Sequence, residues 1–212
     1  MNVVDRLICE LDTGLRTVFA QAHAERRLPT PGRTVQTNAT GLDTAAREES
    51  IRLMRVNHCG EVCAQALYQG QALVANDVNV QKLLITAANE EHDHLAWCEA
   101  RLTGLGGSSS RLSPVFYAGS FGLGVVSGLL GDRWSMGFLV ETERQVEAHL
   151  EDHLNRISPD DIESRAVLEA MREDEIRHGQ TGLEHGARPL PAPIKAAMRG
   201  FSRVMTGTSY WI

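Results

Sequence analysis

Glu91 and His94 lie three residues apart, as do Glu175 and His178. On an α-helix that spacing puts both side chains on one face, about one turn apart. One Glu-x-x-His is a weak signal in a chain with 27 acidic residues and 8 histidines. Two copies separated by 84 residues, each inside a helical pattern, carry more weight. Two helices bearing this motif, with one Glu from each of two further helices, build a carboxylate-bridged pair of metal sites inside a four-helix bundle. The question is whether the chain supplies the two further acids.

Four long helical segments surround the motifs: 44–76, 79–102, 133–157, and one that starts at Ser158-Pro159-Asp160-Asp161 and ends near Gly186. Ser158 is the expected N-cap of the last, with Pro159 in its first position and acids in its first turn. No strand-like alternation of any length is present, so the predicted class is all-α. Residues 2–25 read as an amphipathic helix with Val4, Leu7, Ile8, Leu11, Leu15 and Val18 at helical spacing, and 28–41, with Pro29, Pro31, Gly32 and Gly41, as a loop. The domain reading is an N-terminal extension over 1–43 and one bundle domain over 44–212. Two stretches stand apart from the four long helices. Val115–Leu130 is apolar, glycine-rich and uncharged, and Ile194–Met205 is a short basic amphipathic helix.

The inward faces follow from periodicity. Val80, Leu84, Ala87, Glu91, His94 and Cys98 form one seam, and Leu168, Met171, Glu175 and His178 another. Each Glu-x-x-His thus interrupts an apolar stripe, where a charge costs several kcal/mol unless paired or metal-bound. In the third helix Met136, Leu139, Val146 and Leu150 select Glu143 and place Glu141 on another, solvated face. In the first, Glu61 is the only carboxylate between Ile51 and Asn76. Its own stripe (Met54, His58, Gln65, Tyr68) is mixed, and the choice rests on elimination. The metal set is therefore Glu61, Glu91, His94, Glu143, Glu175 and His178. Four carboxylates with one imidazole per metal suit iron or manganese and not structural zinc. Against this stands the plainer reading of surface pairs that settle helix packing; the doubled motif with two inward acids favours metal. His92, His149, His153 and His185 are assigned to polar faces or to the surroundings of the ligands. Asp174 is placed to fix a ligand imidazole's tautomer, with simple surface charge as the even alternative.

Bulk properties narrow the classes. The length of 212 residues suits one domain with a full core, and a formal charge of −6 argues against nucleic acid as the main partner. Cysteines 9, 59, 63 and 98 form no CxxC pair and suit packing. Their number, with no signal peptide evident, points to a reducing compartment. No run of about 20 apolar residues exists that would span a bilayer.

With these residues in place, the chain resembles the demethoxyubiquinone hydroxylase family, di-iron enzymes of ubiquinone biosynthesis. Arg55-Val56-Asn57-His58-Cys59-Gly60-Glu61 resembles that family's first-ligand segment, and Glu90–His94 and Asp174–His178 its two Glu-x-x-His motifs. The glycine-rich stretch ending Gly-Leu-Leu-Gly is also similar, and the resemblance covers roughly 45–186. It implies a ferritin-like four-helix bundle with additional interfacial and terminal helices, two iron ions per subunit, and Glu143 as the ligand of the third helix. The implied reaction is O2-dependent hydroxylation of a polyprenylated methoxy-methyl-benzoquinol. One oxygen enters the ring and the other leaves as water, with two electrons from an external donor. Such a substrate lives in the membrane. The resemblance therefore implies a peripheral protein on the cytoplasmic face of the bacterial inner membrane, with Val115–Leu130 and the C-terminal helix at the interface. Other ubiquinone-synthesis proteins and further copies of the chain are the implied partners. A cover for the bundle end or a dimer contact is the plain alternative for the two apolar stretches. The rival functions are a rubrerythrin-like peroxidase, ferritin-like iron storage and a metal-free structural bundle. The first lacks its usual cysteine-rich iron site here, and the apolar 115–130 stretch fits a storage shell poorly.

Overall fold

The computed structural model describes residues 3–31 and 41–212. The expected apolar side chains of Val4 and Leu7, and the loop position Gly32, lie outside the described residues. Among the described residues there are seven helices and no strand: α1 (Val3–Phe19), α2 (Thr44–Val74), α3 (Val78–Leu105), α4 (Ser113–Leu129), α5 (Asp132–Arg156), α6 (Ile162–Glu184) and α7 (Ala192–Ser209).

Helices α2, α3, α5 and α6 build the bundle. Their apolar seams meet in two clusters. One gathers Leu53, Met54, Cys98, Leu102, Leu150 and Met171; the other gathers Tyr68, Leu84, Ala87, Met136 and Leu139. Along every one of the four helices the predicted acidic and histidine positions fall between or beside these clusters, so a polar layer is enclosed by two apolar ones. Asp132, at the start of α5, pins the α2–α3 turn. Its carboxylate accepts the backbone N–H groups of Asn76 at 3.0 Å and Asp77 at 2.8 Å.

The start of α6 differs from the expectation. Ser158 closes a preceding turn, accepting the Asp160 N–H at 3.2 Å on its hydroxyl. The cap is Asp161, whose Oδ1 accepts the Ser164 N–H at 3.1 Å and a bond from Arg101 Nη2 of α3 at 3.0 Å. The later cap wins because it gains a charged tertiary partner as well as the helix N–H.

Helix α1 stops at Phe19, short of the expected residue 25. Side chains of α3 replace the helical bonds beyond it. Glu99 accepts the Ala22 N–H at 3.0 Å and Asp93 the Glu25 N–H at 2.6 Å. The helix rests on α4 through Gly14 beneath the Tyr117 ring, and its stripe of Ile8, Leu11, Leu15 and Phe19 faces outward, 50–72% exposed.

The glycines of the 115–130 stretch have a packing cause. Gly124 lies against the Leu67 carbonyl, and Gly70 of α2 against the backbone of Phe121 and Val125, so the axes approach closer than any side chain allows. On the far side of α4, Val115, Val126 and Leu129 are exposed. Helix α7 docks beside α4, with Met205 and Ser209 buried and Phe201 edge-on to Phe116 at 5.9 Å between centroids. No helix of the described residues is long and apolar enough to cross a membrane.

Candidate metal centre

All six predicted residues converge in the polar layer, and all are buried. They form two overlapping groups, Glu61–Glu91–His94–Glu175 and Glu91–Glu143–Glu175–His178, with the ligand atoms of each group within 4.8 Å of one another. Glu91 and Glu175 belong to both. Glu61 with His94 completes one side and Glu143 with His178 the other. The local cause is the i, i+3 spacing, which aims each Glu and its His at the same point from α3 and α6.

Both imidazoles turn Nδ1 inward. His94 Nδ1 lies 3.0 Å from Glu91, 3.3 Å from Glu175 and 3.7 Å from Glu61. His178 Nδ1 lies 3.3 Å from Glu91 and 3.6 Å from both Glu143 and Glu175. Each Nε2 points outward to a carboxylate of the opposite helix. His94 donates to Asp174 at 2.9 Å, and His178 to Glu90 at 2.5 Å. These acids are the residues immediately before the shared Glu175 and Glu91, so the pattern is reciprocal. An N–H bond to a carboxylate fixes the tautomer that leaves Nδ1 free as a ligand.

The electrostatics mark the layer as a place for cations. Burial pushes the Glu61 and Glu143 carboxyls well above their ordinary range, and the like charges of Glu91 and Glu175 add to it. Burial also acts on Glu91, but the adjoining imidazoles of His178 and His94 outweigh it and hold that carboxyl low. Tyr68 donates a short hydrogen bond to Glu143 Oε1, and burial beside these acids raises its phenol well above the usual value. Among the described residues, Glu91 Oε1, Glu143 Oε2, both Glu175 oxygens and His178 Nδ1 are buried without a hydrogen-bond partner. Orphaned lone pairs of this number, aimed at one place, cost several kcal/mol unless a cation takes them up, and they fit a hard metal ion or a pair of them.

Two expectations change. Glu141 is not solvated; it is 3% exposed, and Arg144 donates to it at 2.6 Å, Gln145 at 2.8 Å, with Lys195 of α7 at 3.4 Å. It does lie on another face than Glu143, but α7 covers that face, which the periodicity of one helix cannot reveal. His153 is also buried, with Nδ1 at 2.8 Å from Asn57 Oδ1. His92 and His149 are half-buried and His185 exposed. Asp174 takes the tautomer-fixing place against His94.

Arg26 escaped the sequence reading. From the segment after α1, its Nε reaches Asp93 at 2.7 Å and its Nη1 reaches Asp174 at 2.6 Å, with the guanidinium 4.7 Å above the Trp97 ring. The N-terminal extension therefore touches the acid that holds His94. Glu90 also went unassigned; its signal was its place before Glu91, the counterpart of Asp174 before Glu175.

A helical bundle whose polar core layer is four carboxylates and two imidazoles, supplied by two Glu-x-x-His helices and two single-Glu helices, defines the ferritin-like class. Within it, the chain belongs to the family described as ubiquinone biosynthesis protein COQ7, whose profile matches residues 48–209. It is 53% identical over 208 residues to a 3-demethoxyubiquinol 3-hydroxylase of Chromobacterium violaceum, covering 98% of this chain and 99% of that one. Proteins of the same name are 52% identical in Polynucleobacter necessarius, over all of both chains, and in Nitrosomonas europaea, over 99% of each. The similarity thus extends through the segment that carries Arg26.

Proposed function

We propose that this protein is a di-iron monooxygenase that hydroxylates the ring of a polyprenylated demethoxyubiquinol with O2 in ubiquinone biosynthesis. The observation that carries the reading is the sharing of Glu91 and Glu175 between two buried ligand groups, one of which reaches a largely apolar cavity through Glu61. The family and the name of its relatives supply the substrate class.

Two iron ions, held by Glu61, Glu91, His94, Glu143, Glu175 and His178, supply O2 activation when bound; carboxylates and one imidazole per ion suit iron. The chain's own residues provide position and dryness. Asp174 and Glu90 hold both imidazole N–H groups outward, so each Nδ1 stays an inward donor of its lone pair. Tyr68 keeps its phenol proton and donates it to the Glu143 oxygen it faces, which leaves the other Glu143 oxygen free to bind an ion. Leu53, Met54, Leu84, Leu139 and Leu168 are fully buried on either side of the layer and exclude water from it. The cavity, about 110 Å³, runs from Glu61 between α2, α4, α5 and α7 and is lined mainly by apolar side chains such as Leu67, Val146 and Phe201. That lining suits a prenylated ring.

The outer faces of α1, α4 and α7 carry Leu11, Phe19, Leu129 and Val204, all exposed, with Arg199 and Arg203 beside the last. We assign this surface to the bilayer interface at the cytoplasmic face of the inner membrane, where a quinol enters the cavity beside α4 and α7. Residues 1–43 act with the bundle as its N-terminal extension, through Arg26. The two reducing equivalents come from an external donor.

The test is oxygen tracing. Iron-loaded, reduced protein incubated with a short-chain demethoxy-quinol under labelled O2 places one labelled oxygen on the product ring, read by mass spectrometry. Unlabelled product, or peroxide consumption with the quinol unchanged, overturns the reading in favour of a peroxidase.

A further inference from the structure

The cavity that reaches Glu61 is lined mainly by apolar side chains, and one of its polar ones, His149, stands at the end of a hydrogen-bonded chain that lies outside the metal layer. Asn57 donates its amide N–H to Met54 Sδ at 3.9 Å, which turns its oxygen toward His153. His153 Nδ1 lies 2.8 Å from that oxygen, and an amide oxygen only accepts, so Nδ1 carries the proton. His153 Nε2 is then a bare acceptor, and it lies 2.7 Å from His149 Nε2, which must donate. Burial supports neutral rings throughout, lowering His149 and holding His153 down at about 2. A neutral His149 protonated on Nε2 has an unprotonated Nδ1. Among the described residues that nitrogen makes no hydrogen bond, while the ring borders both the cavity and the neighbouring surface pocket that holds His153 and Arg156.

We propose that His149 is a substrate-positioning residue whose Nδ1 accepts a hydrogen bond from a ring hydroxyl of the quinol, and that Asn57 and His153 exist to hold it in that tautomer. The inference rests on the quinol reading above and deepens it. A reduced ring offers O–H donors and an oxidised one only carbonyl acceptors, so a fixed acceptor selects the quinol over the quinone. The chain also explains why His153 is buried, and His149 half-buried, away from the metal layer. Relayed through Asn57, on the same helix as Glu61, the acceptor is set at a fixed distance from the ligands, which orients the ring carbon that reacts.

Two measurements test it on the metal-loaded protein under anaerobic conditions. The first is nitrogen-15 NMR of the histidine rings. His149 is expected to show a proton on Nε2 and a bare Nδ1, with the Nδ1 resonance moving when ligand binds; a protonated Nδ1 in the free protein overturns the proposal. The second is binding of a short-prenyl methoxy-methyl-hydroquinone in two forms, a mono-O-methyl ether that keeps one hydroxyl and a di-O-methyl ether that keeps none. The wild type is expected to prefer the hydroxyl form about fivefold, the worth of one buried hydrogen bond. His149→Phe is expected to remove that preference, and His149→Asn, whose amide oxygen can take the place of Nδ1, to restore part of it. An unchanged preference in His149→Phe sinks the role of His149 and leaves the quinol reading standing. Failure of both ethers to bind the wild type overturns the quinol reading itself, and this inference with it. Should His149→Phe fail to fold, the NMR assignment decides alone.

Discussion

Asp174 on α6 accepts a hydrogen bond from Nε2 of His94 on α3 at 2.9 Å, and the same oxygen receives Arg26 from the N-terminal segment at 2.6 Å. An acid behind a ligand imidazole sets its tautomer and orientation, and losing it typically lowers metal affinity about 10- to 100-fold. Asp174→Asn is expected to show a loss of that size in competition with a chelator. Arg26→Ala, which leaves the His94 bond in place, is expected to lose less. Equal affinity in wild type and Asp174→Asn would mean that the contact is ordinary packing.

The second expectation concerns stoichiometry. Two overlapping ligand groups predict about two irons per chain. Glu91→Ala and Glu175→Ala remove a carboxylate common to both groups and are expected to abolish loading, whereas Glu141→Ala leaves it near normal. Metal analysis of anaerobically purified protein reads this directly. Iron lost in Glu141→Ala and kept in Glu143→Ala reverses the choice made on α5.

A third follows from the pocket of cations around Glu141. Burial opposes its charge, but Arg144, Gln145 and Lys195 hold the carboxyl at about 2, below its ordinary 4.5. A depressed folded-state value stabilises the protein above the unfolded value and ceases to do so as pH falls through the folded one. Compared with Glu141→Gln, the wild type is therefore expected to be more stable above about pH 4.5, with the advantage fading as pH falls toward about 2. Urea unfolding of both proteins across that range tests it; a constant difference refutes the assignment.

The fourth addresses the membrane. Point substitution is preferable to truncating α7, because Met205 and Ser209 are buried and their removal would open the core. Leu129→Asp with Val204→Asp, both exposed, is expected to reduce co-sedimentation with anionic vesicles at low salt while leaving thermal stability unchanged. Wild-type protein that stays in the supernatant rules the surface out as a lipid contact.

The convergence of the six acidic and histidine residues in one polar layer was legible in the sequence because its determinants are local. A Glu and a His three residues apart share a face whatever the fold does, and an apolar seam marks which face is inward. Glu143 was separable from Glu141 on the same ground. What stayed hidden depends on contacts between elements. Arg26 sits in a segment without periodicity and gains meaning only because Asp93 and Asp174 stand opposite it. The burial of Glu141 comes from α7, more than 50 residues away in sequence. Ser158 satisfied every local rule for a cap and lost to Asp161, which Arg101 of α3 also holds. The outward stripe of α1 inverts the usual rule that apolar faces point to the core, and periodicity alone cannot tell a core from a bilayer.

The crossed arrangement, in which Glu90 serves His178 and Asp174 serves His94, bears on how the molecule is made. A chain emerging from the ribosome presents α2 and α3 first, with Glu61, Glu91 and His94 but neither Glu175 nor the acid that orients His94. Such a half-site can neither fix its imidazole nor share its carboxylate across a second position. A cation is therefore expected to find a complete set of donors only after α6 has docked, and a nascent or truncated chain offers none.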